Sequence, residues 1–381
     1  MNPIRTTHVG SLPRAPRLAE LLIARDRGEP CDAAEFETVV QTEIDNAVIR
    51  QVAAGVSIVS DGELGKIGYS TYIIDRLEGF GGDFARKPAL DLAPYPDLRD
   101  KLGRIMGKQE FRRAACIGPV RLRTMEPCAQ DIARFRVALD RHGEGVRGFL
   151  NAASPGLVTA FQPNHHYPSH EAYLADLADA MQPEYEAIIA AGFDLQLDCP
   201  DLAMARHTGF QDLSEAEFLQ RAAESVAALN HAARNIPAER MRMHVCWGNY
   251  EGPHDHDIDL GKVMPIILAA KPSQILFEAA NARHAHEWEI WADTRLPDDK
   301  ILVPGLIDTC SNYLEHPRLI AQRLQRFVDI VGVERVIAGT DCGFGTFAGY
   351  GKLDPEICWR KLAALRDGAD IVASAGRRRA A

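Results

Sequence analysis

Alternating β and α segments along 381 residues predict an α/β fold, and more narrowly a TIM-type (β/α)8 barrel with an insertion between the second and third strands. Two observations carry this. Short apolar runs recur at 6–11, 57–61, 147–153, 193–197, 241–246, 274–277, 301–306 and 336–339, each followed by a stretch with helical periodicity. None is followed by the Gly-x-Gly-x-x-Gly turn that would favour an open, doubly wound sheet.

The elements follow in order. The first run ends in Gly10-Ser11, ahead of Pro13, and a helix follows over 16–27. A longer helix over 31–54 places Phe36, Val39, Val40, Ile44, Val48 and Ile49 at helical spacing until Gly55 stops it. The second strand runs into Asp61 and Glu63. Residues 78–145 are less regular, with Gly81-Gly82, several prolines, one strand at 114–120 and a helix near 131–140. We take this stretch as the insertion. Beyond it, strands alternate with helices over 170–191, 213–233, 258–270, 285–291, 316–331 and 354–373. No internal repeat or linker divides the chain, so residues 1–381 are expected to form a single catalytic barrel.

Composition excludes several classes. The formal charge is −10, with no long basic block, which argues against nucleic acid. No window approaches the ~18 uninterrupted apolar residues of a membrane span, and no signal-peptide pattern opens the chain. A cytoplasmic protein is expected. Eight cysteines spread over the length read as free thiols, some of them metal ligands, rather than as a disulfide framework. Nothing decides the oligomeric state; helices such as 285–291 leave room for a homo-oligomer.

The ends of the strands carry chemistry. His8 and Ser11, Asp61 and Glu63, Asp198, His244 and Cys246, Glu278, Asp308 and Cys310, and Asp341 and Cys342 all fall there. In a barrel such ends converge on one mouth. His244 and Cys246 stand two apart on one strand and so face the same way. With Glu278 and Cys342 they offer one nitrogen, two sulfurs and a carboxylate, a set that suits Zn2+. Taken singly, each has a blander reading: a small buried thiol, a satisfied core histidine, a helix-terminal acid. The combination is what favours a metal. Asp341 is then an outer acceptor. A thiol joining such a site is deprotonated at neutral pH, which favours thiolate alkylation over hydrolysis by bound water. His254 and His256 read as solvated loop residues, and His284 and His286 as the exposed start of a helix.

These same residues resemble the catalytic C-terminal barrel of the cobalamin-independent methionine synthase family. The matching pieces are 6–14, 60–63, 195–200, 244–246, 277–278 and 341–343. The resemblance implies a zinc that activates homocysteine, with His244, Cys246, Glu278 and Cys342 as ligands. It further implies that Ser11 lies in the segment holding the amino acid's carboxylate, with His8 beside it, and that Glu63 and Asp198 hold its amino group. Asp308 and Cys310 fall at the family's catalytic Asp-Ile-His position, where Cys310 replaces the histidine. Two further departures concern the donor: no tryptophan follows the third strand, and Asp198-Cys199-Pro200 stands for Asp-Glu-Pro. The family's additional N-terminal barrel has no counterpart in these residues. The alkyl donor therefore stays open among folate, a corrinoid protein and an epoxide. Short single-barrel relatives include epoxyalkane:coenzyme M transferase, which is the first rival. A uroporphyrinogen-type decarboxylase and a non-catalytic zinc or thiol carrier are the others.

Overall fold

Apolar strand residues that alternate with helices must pair with one another to satisfy their backbone. The computed structural model describes residues 4–84, 87–105, 113–350 and 353–380. Its strands are β1 (Ile58–Ser60), β2 (Leu77–Gly81), β3 (Ala115–Leu122), β4 (Arg147–Ala153), β5 (Asp194–Asp198), β6 (Met241–His244), β7 (Gln274–Phe277) and β8 (Ile301–Pro304). β1, β4, β5, β6, β7 and β8 form one parallel sheet in that order, while β2 and β3 form a separate antiparallel pair. β5, β6 and β7 are buried at every residue, as strands covered on both faces must be.

The runs expected as the first and last strands are only bridges. Thr6 pairs in parallel with Ala338; Thr7 N–H donates to Ala338 O and Ala338 N–H to Arg5 O, both at 2.9 Å. Thr6 O in turn accepts from Ile58 N–H at 3.0 Å, and Ile337 N–H donates to Leu302 O at 2.9 Å. The sheet is thus curled, with these two extended stretches lying between β1 and β8. In the first stretch threonine hydroxyls take up neighbouring carbonyls: Thr6 Oγ1 donates to Gly55 O and Thr7 Oγ1 to Ile58 O. Inside the curl, Val9, Ile58, Phe149, Leu276, Val303 and Ile337 form a small apolar cluster of their own. The Arg242 guanidinium lies over Phe149 at 3.9 Å and donates to Thr7 Oγ1 and His8 O.

The helices are α1 (Pro16–Arg27), α2 (Ala33–Ala53), α3 (Ile73–Arg76), α4 (Pro96–Ile105), α5 (Glu126–His142) and α6 (Pro155–Phe161). They continue as α7 (His170–Ala190), α8 (Glu215–Ala232), α9 (Leu260–Leu268), α10 (Trp288–Asp293), α11 (Pro317–Val331) and α12 (Pro355–Ala380). Capping explains several starts. Asp32 accepts from the N–H groups of Ala34 and Glu35 at α2, and Ser214 with Glu217 forms a reciprocal box at α8. α10 starts later than the spacing predicts, because His284 turns back to Glu287 instead of opening a helix. α3, α4, α6 and β2 carry too few residues to show a period. The expected insertion, 78–145, holds most of β2, all of β3, and α4 and α5; its residues 85–86 and 106–112 lie outside the described ones. Among the described residues, no helix is long and apolar enough to cross a membrane.

Candidate metal and substrate site

Register places the first two groups. Asp198 of β5 and His244 of β6 are direct partners across the parallel pair, so their side chains stand side by side. Cys246 lies two residues past the end of β6, and Cys342 follows the bridge at Gly339. The two sulfurs are 3.7 Å apart, and His244, Cys246 and Cys342 each offer a ligand atom within 4.8 Å of the others.

Of the ten residues expected at the site, six line one cavity of about 790 Å³: Ser11, Glu63, Asp198, His244, Cys246 and Cys342. The donor set fits a thiophilic divalent ion. His244 is buried, yet neither ring nitrogen has a hydrogen-bond partner, an arrangement that is costly unless something else binds there. Burial disfavours the charged ring, but the Cys246 thiol and the Asp198 and Glu278 carboxylates raise its pKa overall. Gly248 N–H donates to Cys246 Sγ at 3.3 Å from a left-handed backbone (φ 123°) that glycine adopts freely.

Glu278 does not join the three at 4.8 Å. Its Oε1 accepts from Trp247 N–H at 2.8 Å, and its Oε2 from Asn281 Nδ2 at 2.7 Å and the Arg283 guanidinium at 2.9 Å. Asp341 accepts four bonds from the same turn: Ala279 N–H, Ala280 N–H, Asn281 N–H and Asn281 Nδ2. It thereby ties the loop of Glu278 to the loop of Cys342. Burial and the neighbouring Glu278 push its carboxyl up to about 6.

Beside the sulfurs sits a carboxylate pair. Asp198 accepts from Asn151 Nδ2 at 3.1 Å and Gln196 Nε2 at 2.9 Å. Glu63 keeps Oε2 without a hydrogen bond, 3.8 Å from Lys66 Nζ. Burial, then the nearby Asp198 and Asp61, push Glu63 up to about 7 against the pull of Lys66 and Arg14; burial raises Asp198 as well. Two buried carboxylates that resist ionisation describe a place where a cation belongs. Glu63 adopts a left-handed backbone (φ 53°), its N–H held by Asp61 Oδ1 at 2.9 Å. Close packing fixes the rest: a Cβ on Gly10 would lie 2.3 Å from Asn151 Oδ1, and one on Gly343 2.0 Å from Ser11 Oγ.

The other expected residues stand back from the cavity. His8 is fully buried; its Nδ1 accepts from Gly10 N–H and its Nε2 faces Gln51 Oε1 at 2.7 Å. Burial pushes its pKa down to about 4, so the ring is a neutral strut. Asp308 Oδ1 accepts from Cys310 N–H, and Cys310 Sγ reaches Asn249 Oδ1 at 3.1 Å. Asn249 lines the cavity and donates to Gly343 O, so it links this arm to the sulfurs.

Some expectations need correction. His254 is buried rather than solvated, because its loop folds beneath the expected insertion, and His284 is buried rather than at an exposed helix start, because it lodges between Glu287 and Asp257. Asn151, Gln196, Asn249 and Arg283 were not singled out by sequence. A signal existed for two of them: Asn151 and Gln196 are polar partners in register within otherwise apolar strands.

No family model matches the chain. It is 25% identical over 369 residues to a methionine synthase of Thermococcus kodakarensis, covering 96% of this chain and 93% of that protein. It is 22% identical over 376 residues to a methionine synthase of Saccharolobus solfataricus, covering 96% and 94%. Among solved structures, a B12-independent methionine synthase from Shewanella sp. W3-18-1, in complex with selenomethionine, superposes with a TM-score of 0.73 at 21% identity, covering 98% of both chains. The resemblance read from the sequence motifs is borne out along nearly the whole chain.

Proposed function

We propose that this chain, related over nearly its full length to methionine synthases, transfers a methyl group to the sulfur of an amino-acid thiol of the homocysteine class. The carrying observation is one cavity that holds the pair Glu63 and Asp198 next to His244, Cys246 and Cys342. We read the bridged stretches at 6 and 338 as the first and eighth strands of a (β/α)8 barrel, a single unit over 1–381 with 78–145 as its insertion.

His244, Cys246 and Cys342 would hold Zn2+, with Glu278 as the fourth ligand; carboxylate oxygens carry enough lone pairs to keep the Trp247 and Asn281 bonds as well. When bound, the ion stabilises a thiolate at neutral pH. The remaining work belongs to the side chains. Glu63 and Asp198 accept from the substrate ammonium, a charge-assisted contact that settles both carboxylates in their ionised form. Ser11 offers its hydroxyl to the substrate carboxylate. Tyr69, Phe161 and Phe347 line the cavity and keep water from the sulfur and the methyl donor. Asp308 and Cys310 act as positioning residues through Asn249.

A sulfonate thiol, as in the epoxide-opening rival, would need cations where the two carboxylates stand. Arg14 is committed to the carbonyls of Gly345, Glu63 and Lys66, and Lys66 to the carbonyl of Asn151; neither lines the cavity. Zinc-edge X-ray absorption on the full chain tests the proposal. The zinc is expected to gain one sulfur with homocysteine and none with coenzyme M. The reverse result, or no zinc, would overturn it. Methyl transfer from a panel of donors then separates an enzyme from a carrier.

A further inference from the structure

A second buried cluster lies away from the sulfurs, and the proposed reaction does not use it. Four segments meet there: Asp91 from the expected insertion, His207 after β5, His254 and Asp257 after β6, and His284 after β7. Asp91, His207 and His254 each offer a ligand atom within 4.8 Å of the others. Asp91 Oδ2 is occupied, accepting from Tyr250 O–H and from His254 N–H at 3.1 Å, but Asp91 Oδ1 is buried without a partner. His207 has no exposed side-chain surface, and neither of its ring nitrogens makes a hydrogen bond.

The spacings are informative. His207 Nδ1 is 3.8 Å from Asp91 Oδ1 and 3.6 Å from Asp257 Oδ1; His254 Nδ1 is 3.2 Å from Asp257 Oδ1. Two of the three are too long for hydrogen bonds. Around a tetrahedral ion with bonds of about 2.0–2.2 Å, neighbouring ligand atoms lie roughly 3.2–3.6 Å apart. A buried network of partly paired groups is costly, so a purely structural role for these atoms leaves their geometry unexplained.

We propose that Asp91, His207 and His254, which group within 4.8 Å, form a second metal site for a divalent transition ion of the imidazole- and carboxylate-binding kind, with Asp257, outside that group but 3.6 Å from His207 Nδ1 and 3.2 Å from His254 Nδ1, drawn in as fourth donor. Two nitrogens and two oxygens suit Zn2+ or Co2+ better than the oxygen-seeking Mg2+ or Ca2+. Four protein donors close the coordination sphere, so the ion is structural. It fastens the segment around Asp91 to the loops after β5 and β6. Lys87 and Pro88, just before Asp91, line the substrate cavity, so the ion fixes part of that wall.

The test is titration of the metal-stripped full-length protein with Co2+, followed by absorption spectroscopy. Two equivalents are expected: one with sulfur-to-cobalt charge transfer and one showing only the weak bands of nitrogen and oxygen ligands. The doubly substituted Cys246→Ser, Cys342→Ser protein should keep the second and lose the first. His207→Gln and Asp91→Asn should each do the opposite. Absence of the nitrogen–oxygen equivalent from the wild type overturns the site, and so does its survival in both His207→Gln and Asp91→Asn. Loss of the charge-transfer band alone bears on the sulfur site and leaves this one standing.

Discussion

The floor and the wall of the cavity are built by different means. The floor is inherited from the sheet: His244 and Asp198 are paired by backbone register, and Cys246 stands two residues beyond a strand end. The wall around Lys87 and Pro88 is held by remote contacts instead. Leu90 N–H donates to His207 O at 2.9 Å, Asp91 accepts from Tyr250 and His254, and Lys87 meets Asp212 at an exposed ion pair. A floor fixed by backbone hydrogen bonds suits a reaction that demands exact placement. A wall fixed by contacts between loops, outside the sheet, can change without disturbing that chemistry. The floor should therefore govern the thiol, and the wall the donor.

The largest effect is expected from Cys342→Ala. Losing an outer partner of a metal typically costs about 10–100-fold in activity or affinity; losing a ligand should cost more, with zinc content and methyl transfer falling together. A variant that transfers methyl normally without metal would break the comparison at its base. Next comes Glu63→Gln. Removing a charged acceptor of the substrate ammonium, a bond of about 1.5–3 kcal/mol, should raise KM for homocysteine by roughly 10–100-fold. The same variant should treat a thiol lacking the amino group much as the wild type does, and steady-state kinetics on both thiols checks this.

Glu63 also predicts a pH effect in the metal-free, substrate-free protein. Its folded pKa, about 7, lies above its ordinary value of 4.5. Below 4.5 the residue is protonated in both the folded and unfolded states. From there up to about 7, ionisation increasingly favours the unfolded chain. Glu63→Gln should therefore gain stability over the wild type as pH rises through that window and hold the gain above it. Denaturant melts at pH 5 and pH 8 measure the change; an equal difference at both would remove Glu63 as its source.

The wall is probed by Asp91→Asn. It should raise KM for the methyl donor several-fold, through the loosened contacts with Tyr250 and His254, and leave KM for homocysteine alone. Equal changes in both would erase the division between floor and wall. The smallest effect belongs to Cys310→Ala, whose sulfur reaches Asn249 of the cavity lining. One such bond is worth about 0.5–1.5 kcal/mol, so kcat/KM should fall by no more than about 10-fold.

The same division decides what the sequence revealed. His244, Cys246, Asp198 and Glu63 were legible because strand spacing and strand ends translate directly into position. The six-stranded sheet was legible for the same reason. His254 was misread as solvated because nothing near Tyr250 announces that Asp91, 163 residues away from His254, will cover that loop. The contacts that hold the Glu278 carboxylate, to Trp247, Asn281 and Arg283, were not legible, because loop geometry alone decides them. His8 looked like a substrate contact because it sits at a strand end, but its partner Gln51 lies on α2, where periodicity gave no reason to look.

The bridges near Thr6 and Ala338 bear on how the molecule is made. Ala338 accepts from Thr7 N–H and donates to Arg5 O across more than 300 residues, and Phe344 N–H donates to Ser11 O at 2.8 Å. During synthesis, Ser11 leaves the ribosome long before Cys342 and Gly343 exist to pack against it. The sulfur site and the thiol pocket can therefore mature only after nearly the entire chain has been translated. Contacts this distant in sequence form late and slowly. A nascent chain halted before residue 336 would expose the inner apolar cluster, and it would lack Cys342 and the segment that packs against Ser11.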